Sequence, residues 1–220
     1  MKTFEQELKS SESRLFERLT TPARIQDFLD ECAYSTDAIN RCPLYVMRRR
    51  AANCFDGAVF AAAALRRRGY PSLILDMLAN RRDDDHILAL YKREGHWGAL
   101  AKSNFTGLRF REPAYRTLRE LMMSYFEQYY NTAREKTLRG YTQPLNLKTL
   151  DKIAWLTEDT AMEQIEDRLV RMPQVKLLTR SMIARLSPVD ERTCQAGLLG
   201  ANKAGLHKPQ HKLGSGDRGS

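Results

Sequence analysis

Eight consecutive residues, Ala58 to Leu65, carry no polar side chain. The run is rich in alanine, the strongest helix former, and Gly69 stands where a C-cap glycine ends a helix. A helix is therefore expected from about Cys54 to Arg68. A helix that is apolar on every side belongs in the interior, so the rest of the chain has to be built around it. Cys54, in Asn53-Cys54-Phe55-Asp56-Gly57, falls at its start. The free N–H groups and positive dipole end there favour a thiolate. The competing reading is a cysteine packed as a small hydrophobe, which is the common fate of a free thiol.

Several neighbours of this helix are legible. Thr21-Pro22 forms an N-cap followed by proline at the first helical position, and Ile25, Phe28, Leu29 and Cys32 recur at helical spacing over residues 22–33. Pro43 marks a boundary. Residues 72–77 read as a strand. His86 to Lys92 and His96 to Lys102 read as a hairpin about Glu94-Gly95. Helical spacing returns in Leu118, Leu121, Met122, Tyr125, Phe126 and Tyr129, a stripe suited to core packing. Residues 140–198 are expected to be helical with loops and carry no chemical signal. Residues 200–220 are rich in Gly, Lys, His and Ser, and a disordered basic tail is expected there. The order of helices, antiparallel strands and helices defines an α+β chain, with one domain over 1–199.

The 220 residues suit one domain able to bury a core, and 42% hydrophobic with 29% charged residues describe a globular protein. No apolar run approaches the ~20 residues of a membrane span, and Met1 to Ser10 show no signal-peptide core. A cytoplasmic location is the expectation, with Cys32, Cys42, Cys54 and Cys194 as free thiols. Their separation excludes the close Cys pairs of zinc or redox sites, and neither a cofactor nor a metal is expected. The net charge of +9 is dispersed. A nucleic-acid-binding role would rest on it and on Tyr125, Phe126, Tyr129 and Tyr130, but these sit at core spacing and no recognised nucleic-acid motif is present.

Cys54 on a helix start and His86 on a strand are the two minimal parts of a thiol acyl-transfer site. With a two-residue turn, paired hairpin residues sum to about 189, which sets His86 opposite Ser103. A three-residue turn sets it opposite Asn104. Either side chain can accept from the imidazole and fix its tautomer. Strand alternation sends Asp85 to the other face, and it keeps Asp83, Asp84, Asp85 and His86 from converging on one metal ion. Arg109 and Arg111 have two readings: a fork for a substrate carboxylate or phosphate, or an internal Arg–Glu pair with Glu112 over Phe110.

Cys54 at a helix start, Gly69 after it, His86 on a strand, an acidic-Gly turn and Trp97 resemble the transglutaminase-like superfamily. The stretches Cys54-Phe55-Asp56-Gly57-Ala58, Asp83-Asp84-Asp85-His86, Trp97-Gly98-Ala99, Lys102-Ser103-Asn104 and Leu108-Arg109-Phe110-Arg111-Glu112-Pro113 resemble bacterial members of it over residues 22–145. The resemblance implies a papain-like core, with the Cys54 helix packed on a small antiparallel sheet and helices before and after. It further implies Cys54 as nucleophile, His86 as base, and a peptide, protein or small amide as the partner, with Trp97 placed near substrate alongside the two arginines of the fork reading, Arg109 and Arg111. The superfamily's third residue is usually Asp; Ala101 stands there, with Ser103 and Asn104 just beyond as substitutes. The alternative function is an inactive binding or scaffold module of the same fold.

Overall fold

In a computed structural model that describes residues 4–207, the apolar run lies inside a helix over Cys54–Arg67, buried without interruption from Phe55 to Leu65. Gly69 follows at φ +82. The helix packs against two further helices, Pro22–Glu31 and Pro43–Arg49, and against a sheet. Thr21 caps the first of these, its Oγ1 accepting from Arg24 N at 3.2 Å, with Pro22 in the first turn.

The sheet comprises β1 (Leu73–Ala79), β2 (His86–Arg93), β3 (His96–Leu100), β4 (Arg111–Tyr115), β5 (Leu138–Thr142), β6 (Leu145–Asn146) and β7 (Gln174–Lys176). Its order is β4-β3-β2-β1-β5-β7, with β6 also on β1, and every pairing is antiparallel. The β2–β3 turn is the two-residue kind: Arg93 pairs with His96 and Ala89 with Leu100, while Glu94 and Gly95 both take positive φ. Alternation divides the apolar residues. Ile74, Ile87, Ala89 and Tyr91 meet the central helix, whereas Leu75, Met77, Leu88 and Leu90 meet a second core holding Tyr125 and Tyr129.

Two expectations are corrected. Residues 140–198 supply strand as well as helix, with β6, β7 and most of β5 falling there. These segments are short, and Gly140 packs its α-carbon so close to β7 that a Cβ would lie 2.7 Å from the Val175 carbonyl oxygen. β4 holds Pro113, which a sheet accepts because β4 is an edge strand. The start of the expected disordered tail is placed: Lys203–Gly205 form a helical turn. Residues 208–220 lie outside the described residues. Among the described residues no helix is long and apolar enough to cross a membrane.

Gly57 is the contact point between the central helix and the segment after β3. A Cβ there would stand 2.5 Å from the Lys102 Cβ. Gly57→Ala is expected to lower stability by roughly 2 kcal/mol, a typical overpacking cost, measured by urea unfolding. An unchanged midpoint would contradict this packing.

Candidate functional site

Cys54 is placed by a reciprocal cap. Asn53 Oδ1 accepts from Asp56 N at 2.9 Å, and Asp56 Oδ2 accepts from Asn53 N at 3.4 Å. Asp56 is fully buried and also takes Arg41 N at 2.7 Å. Burial is the largest influence on it and lifts its carboxyl to about 6. The sequence signal for this arrangement is Asn-x-x-Asp ahead of an apolar run, a capping-box pattern.

Cys54 is the only one of the four cysteines that is not fully buried. Its thiol is nonetheless pushed up to about 12, chiefly by desolvation and further by the Asp76 and Asp56 carboxylates, against the lowering effect of the Ile87 and Phe55 N–H groups. The expected thiolate at a helix start is therefore corrected: removal from water outweighs the helix end. Burial also holds Cys42 up at about 12.

His86 opens β2 opposite Met77. Its ring centroid lies 6.5 Å from that of Tyr129, edge to face. Its Nε2 lies 2.8 Å from the Leu108 carbonyl oxygen. A carbonyl only accepts, so Nε2 carries the proton and Nδ1 is the basic nitrogen. Burial lowers the imidazole to about 4. Cys54 and His86 line one cavity of about 80 Å³. No hydrogen bond joins them among the described residues, and the resting pair is a neutral thiol with a neutral imidazole.

The orienting role expected of Ser103 or Asn104 falls instead to the Leu108 carbonyl. β3 ends at Leu100, so the hairpin ladder stops before Ser103 reaches His86. Ser103 Oγ accepts from Phe105 N at 3.0 Å. Asn104 holds the C-terminal segment across the same cavity: its Nδ2 donates to Asn202 O at 3.1 Å and Gly205 O at 3.0 Å, while its Oδ1 accepts from Asn202 N at 2.9 Å. Gly205 packs on the Tyr34 ring, and His207 pairs with Asp84 at 2.9 Å. Ala101 is sealed off, its N–H and carbonyl both bonded to the Gln26 side chain. Lys102 donates to the carbonyls of Leu29 at 2.9 Å and Cys32, closing the end of the Pro22–Glu31 helix.

The other expected substrate contacts lie elsewhere. Trp97 pairs with Lys92 beside the hairpin turn, about 20 Å along β2 from His86 at strand rise, and Lys92 Nζ sits 5.0 Å from its ring. Arg109 pairs with Asp30 at 3.0 Å. Arg111 donates to Ser124 Oγ at 3.0 Å and to the Gly107 and Ser124 carbonyls, with its guanidinium 3.9 Å over Tyr125. Both arginines therefore serve the fold, through partners other than Glu112.

A second cavity of about 490 Å³ adjoins Cys54. Asp76 lines it from β1, opposite Ile87 and on the central-helix side. It is 6% exposed, and its Oδ1 has no partner. Burial, then Asp85 and Glu166, raise its carboxyl to about 8. Sequence reading missed this residue, whose one signal was a lone carboxyl inside an apolar strand.

No family model matches the chain, and no curated protein does. Among solved structures, one of Legionella pneumophila LapG is 14% identical over 70% of this chain and 86% of its own, with a TM-score of 0.41. A second, of EGTA-treated Legionella pneumophila LapG, is 16% identical over the same shares, with a TM-score of 0.39. Both are distant likenesses.

Proposed function

We propose that this chain carries out thiol-dependent acyl chemistry, either hydrolysis of a peptide or amide or transfer of its acyl group, on a transglutaminase-like core. The observation that supports this reading is the shared cavity: Cys54 and an imidazole with a fixed tautomer both border it. His86 Nδ1 takes the Cys54 proton as sulfur bonds to the carbonyl carbon. The Cys54 and Phe55 N–H groups, in the first helical turn, serve as the oxyanion donors in this reading. The C–N bond breaks as the imidazolium returns its proton to the leaving amine. Water or a second amine then attacks the thioester, and the thiol is regenerated. Because the resting pair is neutral, proton transfer accompanies attack.

One observation favours a second reading, an inactive binding module: among the described residues no carboxylate bonds to His86, in keeping with Ala101 standing where the resembled superfamily usually has its acid. Turnover of a peptide-amide library, read by mass spectrometry, separates the two. Products lost in Cys54→Ala support the enzyme. Identical product profiles for wild type and variant overturn it.

A further inference from the structure

The 490 Å³ cavity has the size of a ligand pocket. In a chain of net charge +9 its wall gathers Asp37, Asp76, Asp84, Asp85 and Glu166, of which Asp37 pairs with Arg41 at 3.5 Å. The basic side chain among the described lining residues is His207, engaged with Asp84. Asp85 Oδ1 is taken by Ala79 N at 2.6 Å, and Glu166 Oε2 by Asn40 Nδ2 at 3.2 Å. Asp76 differs: it is buried, it faces the cavity, and one oxygen lacks a donor. A buried carboxyl with an unpaired oxygen is costly when charged, so it stays protonated until a partner offsets the charge.

We propose that this cavity binds an organic cation, an alkylammonium or guanidinium group of the kind at the end of a lysine or arginine side chain, with Asp76 as its buried counter-charge. The carboxyls are distributed around the wall: among the described residues no three His, Cys, Asp or Glu side chains are gathered to hold a metal ion. A cation bearing several N–H donors matches that distribution, donating to Asp76 while its charge faces Asp85 and Glu166. The raised carboxyl of Asp76 has the same origin, since burial and the two neighbouring carboxylates disfavour its charge until a cation offsets them. The cavity also borders Cys54, so a bound basic residue would present its own peptide near the thiol. Cation binding itself requires no reaction there, and its failure leaves the acyl chemistry untouched.

The test is calorimetric titration of the whole chain with agmatine, with N-acetylarginine methylamide and with the neutral isostere N-acetylnorleucine methylamide. Both cations should bind and the isostere should not. A stronger signal from the methylamide assigns the cavity to a peptide side chain, and a stronger signal from agmatine to a free amine. Asp76→Asn should weaken the cations about tenfold or more, the scale for truncating a buried charge partner. Glu166→Gln, on an exposed helix face, should weaken them about twofold to fivefold and serves if Asp76→Asn does not fold. Absence of cation binding, equal binding of the isostere, affinity unchanged in the variants, or displacement of agmatine by calcium would each overturn the proposal.

Discussion

Asp76→Asn is expected to flatten a fall in stability that Asp76 imposes on the wild-type chain as pH rises towards about 8. The folded-state value of about 8 lies above the ordinary 3.8. Between these limits the unfolded chain is ionised and the folded chain protonated, so unfolding releases a proton and rising pH favours the unfolded state. The slope is about 1.4 kcal/mol per pH unit and vanishes above the folded value. Other groups act lower on the scale, among them Asp83 and Asp85, whose carboxyls burial also raises from 3.8. His86, lowered from 6.5 to about 4, adds stability as pH rises through that interval. Asp56, raised to about 6, removes it between 3.8 and 6. Asp76 is thus best read from pH 6.5 to 8, where it accounts for roughly 2 kcal/mol. Urea unfolding at several pH values measures this directly. A wild-type slope that survives unchanged in Asp76→Asn would contradict the buried, unpaired carboxyl.

Asp56→Ala is expected to cost roughly 3 kcal/mol, because two backbone donors are left without their acceptor while the Asn53 cap on Asp56 N is kept. Those donors are Asn53 N and Arg41 N. The loss falls on the turn that carries Cys54, so amide exchange at residues 53–57 should accelerate more than in the rest of the core. Asp56→Asn keeps an acceptor oxygen, and it should lose well under half as much. Equal losses in the two variants would show that the acceptor contacts are not what holds the turn.

The main features of this fold were legible because they rest on local rules. The alanine run specified an interior helix, Thr21-Pro22 specified a helix start, and Glu94-Gly95 located a hairpin turn, of whose two possible lengths the structure shows the two-residue form. The strands β5 and β7 were not legible, because they are short and exist through pairing with distant partners. In the site, Cys54 and His86 were visible as residue types at a helix start and a strand start. The groups that hold them were not. A backbone carbonyl, Leu108 O, orients the imidazole, and a carbonyl leaves no mark in a sequence. Ser103 failed as an orienter because the hairpin ladder ended early. Asn104 failed because the segment at Asn202–Gly205, distant in sequence, claims its amide. The thiol's chemical state was misread for a related reason: helix position is local, while burial depends on everything packed around it.

The proposed acyl centre is tested most directly by single-turnover acylation with 4-nitrophenyl acetate, with the acetyl group located by peptide mass spectrometry, in wild type and in a folded His86→Ala variant. Acetylation concentrated on Cys54 and slowed about a hundredfold or more by the variant, the usual range for general-base assistance, is the result this account predicts. Acetylation of Cys54 no faster than that of Cys32, Cys42 or Cys194, or indifferent to His86, would contradict it.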